Sequence, residues 1–158
     1  MKERLLQEME NYFGWDEKRK DHARRVLGYA EQMLKKEGGD REVVVAAAIL
    51  HDIGIHVAEK KHGSPAGKYQ EIEGPPIAKG ILSKLRFPVD KIDEVLKIIA
   101  HHHSGGIETI NFKIIWDADW LVNIPDEVGL ADKEKLKNIL EKVFSTKTGK
   151  ELAEKSYL

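Results

Sequence analysis

At 158 residues, with no cysteine, seven histidines and 26 basic against 27 acidic side chains, the chain has the length of one domain whose core needs no covalent staple. The missing thiols exclude disulfides, thiolate zinc sites, iron–sulfur clusters and cysteine nucleophiles, so any metal must be held by His, Asp or Glu. A net charge of −1 argues against extended nucleic-acid or anionic-lipid binding, which relies on an excess of Lys and Arg.

The first residues, Met1 to Gln7, are charged and lack a signal-peptide core. The longest apolar run, Val43 to Leu50, falls far short of the ~20 residues of a membrane span. The expectation is a cytoplasmic protein without membrane attachment. Strand signals are scarce, and helical spacing recurs throughout. Leu5, Leu6, Met9, Tyr12 and Phe13 mark a first helix that Gly14 ends. Asp16 caps a second, carrying Val26, Leu27, Tyr29, Ala30, Met33 and Leu34 up to Gly38 and Gly39. Asp40 opens a third, over roughly 40–53, apolar on nearly every side and therefore expected at the centre of a bundle. From Gly54 to Pro76, glycines and prolines crowd among charged and aromatic residues, which reads as one long loop. Helical spacing resumes over about 76–85, 89–102, 110–124, 133–144 and 148–156. The whole, 1–158, reads as one all-α domain of six to eight helices, with its chemistry-bearing core at about 20–124 and C-terminal helices at 133–157.

Three places could carry chemistry. His51 and Asp52 directly follow the apolar run of the third helix, where two ionisable groups are costly to bury unless paired or metal-bound. His22 has Val26, Leu27 and Ala30 at inward spacings, the usual setting of a satisfied core histidine. Asp117 and Asp119 lie about 200° apart around a helix, and Asp119, sharing a face with Ile115, Trp116 and Val122, is the better interior candidate. Together these offer His, His, Asp and Asp from three helices. Such a set suits Mn, Fe, Co, Ni or Zn and leaves positions open for water and a phosphate oxygen. Trp116 and Trp120, four apart, read first as core packing and only secondarily as a stacking surface.

In that order, with Ala118-Asp119-Trp120-Leu121 around the last, His22, His51-Asp52 and Asp119 resemble the H…HD…D signature of the HD superfamily of metal-dependent phosphohydrolases. The resemblance implies an all-α HD-type bundle in which His22, His51, Asp52 and Asp119 ligate a divalent ion, with Mg as a further candidate. It implies hydrolysis of a phosphate monoester or diester, often of a nucleotide, with Asp52 and His51 in the catalytic role. Branches with two ions add histidines downstream, where this chain has His101, His102 and His103. The earlier partner position falls in Tyr69 to Gly74 and offers Glu71 or Glu73 instead of His, so one ion is favoured over two. Many relatives also have a Lys or Glu just after the HD pair, where this chain has Ile55. His56, Lys60, Lys61 and Lys68, with Arg25 on the second helix, are the candidates for substrate contact. The expected partner is a small-molecule phosphate, and no oligomeric state follows from the sequence. Two alternatives are a non-catalytic metal- and nucleotide-binding module and an HD-type di-iron oxygenase.

Overall fold

The computed structural model describes residues 1–158 and is helical throughout. Its elements are α1 (Lys2–Phe13), α2 (Glu17–Glu37), α3 (Arg41–Leu50), α4 (Ile55–His62), α5 (Gly67–Lys84), α6 (Val89–His101), α7 (Ile110–Glu127), α8 (Lys133–Val143) and α9 (Lys147–Tyr157). As its all-apolar sequence demands, α3 is the central helix, buried at every position from Val43 to Leu50. α1, α2, α6 and α7 pack around it, and α5 lies across α4 and α6. Side-chain caps set the starts of five helices: Asp16, Asp40, Thr109, Asp132 and Thr146 each accept from a backbone N–H three residues on.

Nine helices replace the expected six to eight because the segment read as a long loop is mostly helical. Gly74, Pro75 and Pro76 lie inside α5 rather than ending a loop. The two prolines remove two hydrogen bonds from the middle of α5. What outweighs that loss is packing: a Cβ on Gly54 would sit 2.5 Å from Gly74 N and 3.0 Å from Gln70 O, so the start of α4 and the middle of α5 meet backbone to backbone. Local breaker chemistry therefore loses to a tertiary contact.

Asp117 is the second departure. It lies on the opposite side of α7 from Asp119, yet it is fully buried. Its carboxylate accepts from Ser145 N (2.8 Å), Thr146 N (2.8 Å) and Thr146 Oγ1 (2.6 Å), tying the α8–α9 turn to α7. Gly149 leaves room for that carboxylate, which a Cβ there would strike. Burial raises the Asp117 carboxyl above its ordinary value, against the three donors that lower it. No helix is long and apolar enough to cross a membrane.

Candidate metal centre

α3 ends at Leu50 and hands the chain to a tight turn over residues 51–54. His51 caps α3, fully buried, with its Nδ1 2.8 Å from the Ala48 carbonyl. A carbonyl only accepts, so Nδ1 carries the proton and Nε2 points away. It points at His22 Nε2 on α2 (3.2 Å) and at Asp119 Oδ1 on α7 (3.4 Å). His22 Nε2 lies 3.0 Å from the same Asp119 oxygen. Asp52 Oδ2 completes the group, 3.3 Å from His22 Nε2 and 3.4 Å from His51 Nε2.

Asp52 also faces the other way, its Oδ1 3.2 Å from Nε2 of His102. His102 repeats the arrangement of His51: it caps the C-terminus of α6, is buried, and donates Nδ1–H to the carbonyl three residues back, Ile99 O at 2.6 Å. His103 packs against the His102 ring, and its own Nε2 meets Gln70 Oε1 at 3.1 Å. Two donor groups result, His22–His51–Asp119 and Asp52–His102–His103, each with its ligand atoms within 4.8 Å of one another.

The charges fit a cation. Neither Asp52 nor Asp119 has a lysine or arginine partner; all their ion pairs are with histidines. Burial pushes His51 down, but Asp52 and Asp119 beside it raise it to about 9. Burial likewise opposes ionisation of both carboxyls, yet His51 and His102 hold Asp52 below the usual carboxylate range, and His22 and His51 do so for Asp119. Two helix C-termini, those of α3 and α6, converge here, and the negative end of each macrodipole favours positive charge. With Nδ1–H of His51 and His102 committed to carbonyls, both Nε2 lone pairs face other acceptors, an arrangement that needs a proton or a metal ion between them.

Several sequence candidates are not brought to this cluster. His56 lies one turn beyond Asp52 but pairs with Asp16 (2.7 Å), between the rings of Phe13 and Trp15. Glu73 is engaged by His62 (2.8 Å) and Lys61 (3.3 Å). Glu71 accepts from His103 N, Ser104 N and Ser104 Oγ, and so holds the turn after α6 in place of an ion. Lys68 lies over the Tyr69 ring, Lys60 and Arg25 are exposed, and His101 is in neither donor group. Two residues went unmarked in the sequence: Gln70, which fixes His103, and Asn123, whose Nδ2 donates to Asp119 Oδ1 at 3.1 Å. Asn123 follows Asp119 by four, the spacing that signals a shared helix face. Beside the cluster opens a cleft of about 180 Å³ lined by His102, His103, Trp116, Asp119, Trp120, Asn123 and Glu127.

This all-helical bundle gathers histidines and aspartates from α2, α7 and the turns after α3 and α6 beside an open cleft, a donor set that could hold a metal ion. Residues 19–142 match the family model of the HD domain, and the chain belongs to that family. It is similar to a solved structure of a predicted HD-superfamily hydrolase from an uncultured Thermotogales bacterium, at 25% identity and a TM-score of 0.68, over 97% of this chain and 83% of that one. A second similar structure is an HD-superfamily hydrolase from Bacillus thuringiensis, at 23% identity and a TM-score of 0.66, over 99% of this chain and 89% of that one. No curated protein matches the chain.

Proposed function

We propose that this protein is a metal-dependent hydrolase that cleaves a phosphate monoester or diester of a small molecule, nucleotides included. The observation that carries the reading is the pair of inward-aimed Nε2 atoms, on His51 and His102, set against the carboxylates of Asp119 and Asp52 with no lysine or arginine among them. In this reading His22, His51, Asp52 and Asp119 hold a divalent ion of the Mn, Fe, Co, Ni or Zn type. When bound, such an ion supplies Lewis acidity and lowers the pKa of water toward neutrality. The chain's own part is positioning, which is most of what phosphoryl transfer requires. Ala48 O and Ile99 O fix the imidazoles, Asn123 orients Asp119, and Asp52 accepts the proton released on attack. His102 and His103 either contact the phosphate or, with Asp52, hold a second ion, a version supported by the two-way reach of Asp52, whose Oδ2 faces His22 and His51 while its Oδ1 faces His102.

The test is elemental analysis of protein purified without chelator, joined to hydrolysis assays on 4-nitrophenyl phosphate, its bis-ester and a nucleotide panel. The expected result is bound transition metal and turnover that Asp52→Ala abolishes. Ligand-induced stabilisation without turnover would replace the enzyme by a binding module. Iron near two atoms per chain with no hydrolysis would favour the oxygenase, and metal-free protein that tolerates His51→Ala would overturn the site itself.

A further inference from the structure

Past the donor cluster, the cleft is lined by a single stripe of α7. Trp116, Asp119, Trp120, Asn123 and Glu127 recur at spacings of three and four, so they share one helix face that runs away from the cluster along the helix. Eight residues at 1.5 Å rise place Glu127 roughly 12 Å along the axis from Asp119. The chemistry of this stripe is one-sided. No lysine or arginine lines the cleft. Asn123 gives its amide N–H to Asp119, which leaves its Oδ1 as an acceptor. Glu127, exposed at the far end, has no ion pair or hydrogen bond to neutralise it. Trp116 is half-buried and fixed: its indole N–H donates to Val143 O at 3.0 Å, and its ring rests against Gly105, where an added Cβ would lie 3.4 Å from the indole edge. Trp120, also half-buried, stands one turn further along.

Two indole walls with a carboxylate and a carbonyl-type oxygen, and no cation, form a surface that attracts positive charge and hydrogen-bond donors. The same surface repels an anionic leaving group. Resting on the hydrolase reading above, we propose that the cleft selects phosphate monoesters whose organic part carries an ammonium group. The phosphate faces the histidine–aspartate cluster, a short aliphatic chain spans the cleft, and the ammonium sits against Trp120 with Glu127 and Asn123 Oδ1 as its acceptors.

The test compares isosteres that differ only in that charge. For hydrolysis, 2-aminoethyl phosphate is set against propyl phosphate and 3-phosphonooxypropanoate. For binding, 2-aminoethylphosphonate is set against propylphosphonate, read by tryptophan fluorescence and calorimetry. The expected result is a preference of about tenfold for the ammonium compound in both kcat/KM and Kd, with the anionic ester worst. Glu127→Gln and Trp120→Leu should each bring the ratio toward one, while circular dichroism and melting temperature show that both variants fold. Equal use of ammonium and neutral isosteres by the wild type, or a ratio unmoved by both variants, would overturn the proposal. Failure of the two readings is separable. Tight, Glu127-dependent phosphonate binding without turnover of any ester would keep the ammonium site and remove the hydrolase, whereas turnover of neutral esters without preference would do the reverse.

Discussion

Gly54 tests how tightly the turn that carries Asp52 is built into the fold. Its backbone lies at φ −81° and ψ −4°, an ordinary right-handed conformation, so any residue could adopt it. What excludes a side chain is space: an added Cβ would stand 2.5 Å from Gly74 N, 2.8 Å from Gly74 Cα and 3.0 Å from Gln70 O. These are backbone atoms, which cannot rotate away as a side chain can. Gly54→Ala therefore forces α4 off α5, at about 1–3 kcal/mol for an overpacked contact. The loss of unfolded-state freedom on replacing glycine offsets about 0.4–1 kcal/mol of that. A net loss of roughly 0.5–2 kcal/mol lowers the melting temperature by about 1–8 °C at this chain length. Gly80→Ala is the internal control, because Gly80 lies within α5 and has nothing within 4 Å of its ideal Cβ. Alanine there should stabilise by up to about 1 kcal/mol. Because Ile55 N donates to Asp52 O at 3.1 Å, displacing α4 also displaces Asp52, so added Mn²⁺ should raise the melting temperature less in Gly54→Ala than in the wild type. Thermal melts by circular dichroism, with and without the metal, read both effects. A Gly54→Ala protein that melts at or above the wild-type temperature would refute the close-approach argument.

Removing metal should destabilise the protein by the free energy of binding. At a free concentration about one hundred times Kd this is about 2.7 kcal/mol, or about 5–11 °C in melting temperature. Asp119→Asn should lose most of the increment, and melts after exhaustive chelation that do not move would count against the donor set. Asp117→Ala leaves Ser145 N and Thr146 N without their acceptor and should destabilise by about 1–3 kcal/mol. Denaturant unfolding checks it, and a loss no greater than that of an exposed substitution would show that the turn after α8 does not depend on this carboxylate. Asp16 supplies a pH dependence away from the donor cluster. Burial pushes its carboxyl up, but His56, the Arg19 N–H and the Arg19 charge bring it below the ordinary 3.8. A carboxyl lowered by folding stabilises above its unfolded pKa and loses that contribution as pH falls through its folded one. The stability gap between wild type and Asp16→Asn should therefore hold above about pH 5 and shrink as pH falls past the ordinary 3.8 and through the lowered folded value, and a pH-independent gap would contradict the pairing with His56.

The sequence made the donor set legible because each of its members stands out from an apolar background. His51 and Asp52 end a run of buried residues, and His22 and Asp119 sit at helical spacings from core positions. The histidine triplet was harder to divide. Yet His102 continues the inward series Val95, Ile98 and Ile99 of α6, and that spacing separates it from His101 and His103. Two features were not legible for one shared reason. The Gly-Pro stretch of α5 and the carboxylate of Asp117 are decided by what packs against them, Gly54 in one case and the α8–α9 turn in the other. α7 is covered on both sides, by α2 and α3 on one and by α9 on the other, so two aspartates pointing in opposite directions can both be interior. Helical phase tells which side of α7 a residue takes, but only the tertiary structure tells that the side of Asp117 is covered as well.

The same logic explains why His51 and His102 can serve a cation while most buried histidines cannot. Each is the residue at which its helix stops, and each closes its Nδ1–H onto the carbonyl three residues back, which the helix end leaves without an amide partner. One hydrogen bond thus satisfies a terminal carbonyl, selects the tautomer and turns Nε2 outward from the helix axis. Two helices ending in this way, one on either side of Asp52, bring two bare imidazole nitrogens and two negative dipole ends to a carboxylate shared between them. The affinity for positive charge is therefore a property of where α3 and α6 stop. Moving either stop by a single residue would turn its histidine about 100° away from the cluster.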